Sequence, residues 1–231
     1  MPLLSLPCPR LTLAILSPDQ AELESAFYLR NQRHLARWSP IRTTDYISTA
    51  NIRRRLEIQA SAFEAGLAIH FALLSPDGQQ MIGACNFSGI IRGAFQACYL
   101  GYHIDEAHQG QGLMQEGLEA GIGYMFDVQN LHRIMANYIP GNERSARLLE
   151  RLGFEREGYA KAYLNIAGRW QDHVLTALVI RGSRRRISAG RGAWVELHEI
   201  CQTKILSALG FAADTDLLTP LLAQKNNNLP A

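Results

Sequence analysis

Residues 99–126 read YLGYHI, DEAHQGQG, LMQEGLEAGIGYMF. An apolar run of β-type residues is followed by a polar loop holding Gly110 and Gly112. Then comes a stretch in which Leu113, Leu118, Ile122 and Met125 fall at helical spacing. The pattern predicts a strand, a glycine loop and a helix. The first turn of a helix carries unpaired backbone N–H groups and a partial positive charge, and glycines let a ligand approach the chain closely, so a phosphate or pyrophosphate fits there. The loop has no Gly-Lys-Ser/Thr of a nucleotide-binding P-loop and lacks the GxGxxG order of a dinucleotide fold. The plain alternative is a tight turn into a helix.

The run Gln109-Gly110-Gln111-Gly112-Leu113 resembles the Gln/Arg-x-x-Gly-x-Gly/Ala signature of the GCN5-related N-acetyltransferases (GNAT), with Met114 where the last small residue usually stands. In the ribosomal-protein N-terminal acetyltransferase branch, QGxG before a large apolar residue is familiar. NQRHLARWSP at 31–40, ANYIPGNERSARLLERLGFEREGYAKAYL at 136–164 and GRWQDHVLTAL at 168–178 resemble the same branch, of RimJ type. The resemblance spans residues 10–180 and implies an α/β (α+β) acyltransferase fold, with a central mixed, mostly antiparallel sheet flanked by helices. It also implies acetyl-coenzyme A as co-substrate. Gln109, Gly110, Gln111, Gly112, Leu113 and Met114 would hold its pyrophosphate, and Ile104 would lie beside the thioester, where the strands on either side of the loop and helix splay apart. Asn142 is placed with the cofactor-binding residues, its alternative being a helix N-cap.

The composition bounds the rest. A chain of 231 residues with 47% hydrophobic content suits one domain with an appendage. The net charge of +2 does not mark a nucleic-acid binder. No apolar run approaches the ~20 residues that cross a bilayer, and MPLLSLPCPR has prolines and no basic region before an apolar core, so a cytoplasmic location is expected. Cys8, Cys85, Cys98 and Cys201 show no zinc-ligand spacing, so no metal is expected, and Cys85 and Cys98 read as core residues.

Outward from the central stretch, residues 10–16 predict a first strand and Ser17-Pro18-Asp19 a helix start. Helices are expected over 19–33 and 52–64, and strands over 67–74 and 81–88 joined by Ser75-Pro76-Asp77-Gly78. Beyond the central helix come a strand at 132–139, a helix at 143–151, and strands at 155–166 and 169–180. Arg53, Arg54 and Arg55 read as a solvated helix face, and Trp38 as core packing before a substrate wall.

Acyl transfer to an amine needs a neutral amine, a polarised carbonyl and a proton for the leaving thiolate. The superfamily often carries a tyrosine acid seven residues after the asparagine, but Leu149 stands there. Ser145 is the substitute the branch suggests. A base is harder to place. Tyr102 and His103 are the nearest polar residues, on opposite faces of their strand, and Glu157, Tyr159 and Asp172 are further candidates. The expected catalytic set is Ser145, Tyr102 and Glu157. A weak base suits an α-amine, of which roughly a tenth is neutral at pH 7, better than a lysine amine, neutral less than about one time in a thousand.

Residues 1–180 are read as the transferase domain and 181–231 as an extension. From Arg181 onward there are seven Lys/Arg against four Asp/Glu, in a basic RGSRRRISAGRGAW, an amphipathic stretch at 195–209 and an apolar one at 217–222. Contact with ribosome or RNA is one reading of this extension, and packing on its own domain or a second copy is the other. The functional expectation is transfer of acetyl to a protein N-terminus, by family resemblance a ribosomal protein beginning with alanine. The rivals are a small-amine acetyltransferase and a ribosome-associated binding protein with vestigial transfer.

Overall fold

The computed structural model describes residues 2–180. The extension at 181–231, with its helical and apolar stretches and Cys201, lies outside the described residues. Within them the chain runs β1 (Leu4–Pro7), β2 (Thr12–Ile15), α1 (Ala21–Leu35), α2 (Thr49–Glu64), β3 (Ile69–Leu74), β4 (Met81–Ile91) and β5 (Ala97–Ile104). It continues through α3 (Leu113–Asp127), β6 (Arg133–Tyr138), α4 (Glu143–Arg151), β7 (Glu155–Ile166) and β8 (Arg169–Val179). This is the expected order with one strand added. β1 escapes the sequence reading because prolines bracket it, yet Leu4 and Leu6 are buried while Ser5 lies between them, and an edge strand tolerates proline.

The eight strands form one sheet in the order β1-β2-β3-β4-β5-β6-β8-β7. All neighbours are antiparallel except β5 and β6, which pair in parallel at Ala97–Arg133, Cys98–Ile134 and Tyr99–Met135. Beyond Tyr99, β5 keeps its partner on the other side as far as Ile104, opposite Gly83. β6 keeps β8 as far as Tyr138, opposite Val174. The sheet therefore opens between β5 and β6 at the end where the glycine loop begins.

Each face has its own core. Ala14, Ala72, Leu74 and Ala84 of the sheet pack with Phe27, Ile52 and Leu56 of α1 and α2. On the other face α3 lies close to the strands because two of its glycines share one side. A Cβ on Gly117 would come within 2.9 Å of Leu73, and one on Gly121 within 3.0 Å of Phe87. Cys85 and Cys98 are buried as expected, and burial raises both thiols, that of Cys98 to about 12. Arg53 and Arg54 are exposed, but Arg55 departs from the solvated-face reading: it bonds Glu24 at 2.9 Å and stacks on Tyr46. Trp38 is half-buried with the Arg37 guanidinium 5.0 Å from its ring.

Candidate active site

The loop after β5 is folded by its glycines. Gly110 and Gly112 sit at φ +74° and +77°, the left-handed region that other L-residues avoid, and Gly112 caps α3. The helical bonding begins with Glu116 N–H donating to Gly112 O, so the N–H groups of Leu113, Met114 and Gln115 precede it without an intrahelical acceptor. The side chains of Leu113 and Met114 are buried. What these two residues can offer an anion is backbone, which explains why a large residue is tolerated at 114.

Side chains from three other elements fix this loop. Asn31 of α1, 1% exposed, donates to Asp105 Oδ2 at 2.9 Å and accepts from Glu106 N–H at 2.9 Å. Burial, the largest influence on Asp105, pushes its pKa up; bonds from Asn31 and Ala107 N–H, with His108 and Arg30 nearby, outweigh it, so the carboxyl stays below its usual range. Gln109 Nε2 lies 2.8 Å from His34 Nε2 of α1, while its Oε1 accepts from Arg144 of α4. Arg10, in the β1–β2 connection, donates to Gln111 O at 2.9 Å and pairs with Glu116 at 2.7 Å. None of Arg10, Asn31, His34 and Arg144 was assigned a role from sequence. The segment 31–40 carried only the resemblance, and the pairings join residues 35 to 101 positions apart.

Across the opening stands α4. Asn142 accepts from Ser145 N–H at 3.2 Å, the N-cap geometry. This places Ser145 on the first turn, where its Oγ lies 2.6 Å from Tyr102 Oη. The structure thus brings together two of the three expected catalytic residues. Burial, followed by the influence of Tyr138, raises the Tyr102 hydroxyl to about 12 against the opposing bond to Ser145, so the pair is neutral at physiological pH. Ile104 ends β5, two residues beyond Tyr102.

Glu157 does not join them. It sits at the irregularity between Arg156 and Gly158 of β7 and is ion-paired with Arg133, at the start of β6. Arg133 opposes Ala97, the far end of β5 from Ile104. His103 turns to the other face of β5, as alternation requires, with its ring 5.4 Å from Phe27 and 5.9 Å from Tyr28. Burial, then the Arg42 charge, lowers its pKa to about 4, which keeps it neutral. Asp172 accepts from Tyr159 Oη at 2.7 Å and from Ala162 N–H at 2.8 Å, so both residues shape the β7–β8 hairpin. Ala162, at φ +46°, lies in the register break between Ala160 and Leu164. The hairpin tip reaches the loop between α1 and α2: Ala167 N–H donates to Ser39 O at 2.9 Å, and Gly168 abuts Ile41. Among the described residues no group of His, Cys, Asp or Glu could hold a metal ion. No helix there is long and apolar enough to cross a membrane.

A mixed sheet opened between two parallel strands, with a glycine loop and helix at the opening, defines an acyltransferase architecture, and the chain belongs to the acetyltransferase (GNAT) domain family, whose model matches residues 10–155. The chain is similar, at 46% identity over 178 residues, to the [ribosomal protein uS5]-alanine N-acetyltransferase of Escherichia coli (strain K12), covering 77% of this chain and 92% of that one. Among solved structures it is similar to the ribosomal-protein-S5-alanine acetyltransferase from Vibrio fischeri, with a TM-score of 0.75, 35% identity, and 79% of this chain and 100% of that one covered. Mycobacterium smegmatis RimJ in complex with CoA-disulfide gives a TM-score of 0.73 at 25% identity, covering 83% and 93%.

Proposed function

We propose that the protein transfers the acetyl group of acetyl-coenzyme A directly to the N-terminal α-amine of a ribosomal protein beginning with alanine. The observation that carries this reading is the opening of the sheet beyond Tyr99, bounded by the glycine loop on one side and the Tyr102–Ser145 hydroxyl pair on the other. The relatives in Escherichia coli and Vibrio fischeri supply the acceptor class.

The co-substrate supplies an activated thioester. The chain's residues fit it: the N–H groups at the start of α3, which precede its first intrahelical bond, would face the pyrophosphate, and the β5 edge from Leu100 to Ile104, which β6 leaves unpaired, can bond an extended amide-bearing arm as strand addition does. Ser145 and Tyr102 are assigned to the leaving sulfur. A neutral hydroxyl that is itself hydrogen-bonded donates toward a developing thiolate, and the second hydroxyl polarises the first. Neither hydroxyl bonds a carboxylate, and Glu157 is engaged by Arg133. The base requirement therefore falls on solvent, which an α-amine tolerates and a lysine amine does not.

The test is acetyl transfer from labelled acetyl-coenzyme A to N-terminal peptides, with α-amine-blocked, lysine-bearing peptides and free polyamines as controls. Labelling confined to peptides with a free α-amine and a small first residue is expected. Labelling of small amines alone overturns the reading. Ribosome contact by the basic extension is a separate proposal, supported by its arginine cluster. Deletion of residues 181–231 with unchanged ribosome association overturns it.

A further inference from the structure

Arg42, in the connection between α1 and α2, is exposed, yet its guanidinium is held against aromatic rings, 4.0 Å from the centroid of Tyr46 and 5.6 Å from that of Tyr28. Arg55 stacks on the same rings at 4.4 and 5.7 Å. The two arginines differ in what balances them. Arg55 is bonded to Glu24 at 2.9 Å and to Tyr46 O at 3.2 Å, so its charge is spent inside the cluster. Arg42 has no carboxylate partner among the described residues, and its contacts there are with ring faces, which leave the guanidinium N–H donors to an incoming acceptor. A stacked guanidinium has already lost much of its side-chain freedom, so a carboxylate meets a preorganised partner.

The position connects this cation to the reaction. The Tyr28 ring that touches Arg42 is 5.9 Å from the ring of His103, which stands on β5 between Tyr102 and Ile104. His103 opposes Ala84, so this is the sheet face covered by α1 and α2, opposite the face from which Tyr102 reaches Ser145. The connection that carries Arg42 also meets the β7–β8 hairpin, through Ser39 and Ile41. Arg42 thus stands on the side of the sheet opposite the hydroxyl pair, two ring contacts from the end of β5. The two ring contacts, 5.6 Å from Arg42 to Tyr28 and 5.9 Å from Tyr28 to His103, bound the distance from the guanidinium to the His103 ring; an extended peptide covers a length of that order in about three or four residues, at roughly 3.3–3.6 Å each.

We propose that Arg42 is a specificity determinant that selects acceptor peptides carrying a Glu or Asp side chain within about four residues of the acetylated α-amine. The inference rests on the peptide N-terminus being the acceptor and names the feature of the peptide that is read. Its energetic basis is an ion pair at a partly solvated rim, which has a modest effect and weakens with salt.

The experiment compares alanine-starting peptides that differ only by Glu, Gln or Lys at one of positions 2 to 5, assayed with the full-length wild-type protein, Arg42→Gln and Arg42→Glu. The wild type is expected to favour the best-placed Glu peptide over its Gln counterpart by about fivefold in kcat/KM at low ionic strength, and less at high salt. Arg42→Gln loses the preference, and Arg42→Glu favours the Lys peptide. KM for acetyl-coenzyme A and turnover of the Gln peptide stay at wild-type levels in both variants, which controls for folding; Arg42→Lys, keeping the charge, retains part of the preference. A wild type indifferent to Glu at all four positions overturns the inference while leaving α-amine transfer standing, as does an Arg42→Gln that keeps the preference. Turnover of small amines but of no peptide overturns the acceptor reading and this inference with it.

Discussion

The two sides of the opening are built differently. On the side of the glycine loop, proposed to hold the co-substrate, the chain is fastened by buried side chains: Asn31 and Asp105 are 1% and 5% exposed and bonded to each other, and His34 and Arg144 hold Gln109 from two helices. On the other side the connection between α1 and α2 meets the β7–β8 hairpin through a backbone bond and a surface contact, with Ile41 and Trp170 left 78% and 66% exposed. A co-substrate that is the same in every turnover rewards fixed geometry. A macromolecular acceptor that presents its own surface rewards a rim that yields.

The contrast is broken most severely where the sides meet. Tyr102→Phe and Ser145→Ala should each lower kcat by about 10²-fold with KM for acetyl-coenzyme A near wild type, and the double variant should be little worse than either, because the hydroxyls act as one unit. Additive losses would separate them. Next is the fastening of the glycine loop. Asn31→Ala strips the buried Asp105 of its amide partner and the Glu106 N–H of its acceptor, and should cost about 2–3 kcal/mol in urea unfolding. A loss under about 0.5 kcal/mol would show that the fastening is dispensable.

The third test uses pH. Because burial lowers the pKa of His103 to about 4, the unfolded chain takes up a proton between pH 6.5 and 4 that the folded chain refuses. Its contribution is fully present above pH 6.5 and declines as pH falls toward 4, by about 3 kcal/mol in order of magnitude. His70, also lowered by burial, acts in the same direction. His103→Leu should flatten the slope of stability over that range, and an unchanged slope would assign it to other groups. The smallest effect is expected on the yielding side. Gly168 is at φ +78°, and a Cβ there would come within 2.9 Å of Ile41 Cδ1, an exposed side chain able to move. Gly168→Ala should raise KM for the peptide two- to threefold, with about 1 kcal/mol of backbone strain, and leave KM for acetyl-coenzyme A unchanged.

Legibility in the sequence follows the same division. The loop announces itself because Gly110 and Gly112 are needed by the backbone wherever that turn is made, and the helix after it by its apolar spacing. Ser145 was named through the family resemblance, three residues after Asn142, and the structure sets it one helical turn from that N-cap. Its bond to Tyr102 was not legible, since it joins residues 43 apart across the sheet opening. Glu157 looked available because charge and strand are visible in a sequence and its partner Arg133 is not. Arg53, Arg54 and Arg55 read alike, yet only Arg55 met Glu24 and two rings contributed by other elements. Residues whose role lies in backbone conformation or local spacing were readable; those whose role lies in a distant partner were not.

Among the described residues, the three parallel pairs between β5 and β6 are the only ladder joining strands β1–β5 to strands β6–β8. The sheet is thus two ribbons sharing a short seam, and a ligand arm laid in the opening would lengthen that seam with hydrogen bonds the polypeptide does not make for itself. Substrate would then serve as mortar as well as reactant. At a concentration of 100 times its Kd, such a ligand adds about 2.7 kcal/mol to the folded state. Amide protons along Leu100–Ile104 and Ala136–Tyr138 should report the joining of the ribbons as slowed exchange, while those of the β3–β4 hairpin, sewn along its whole length, change little.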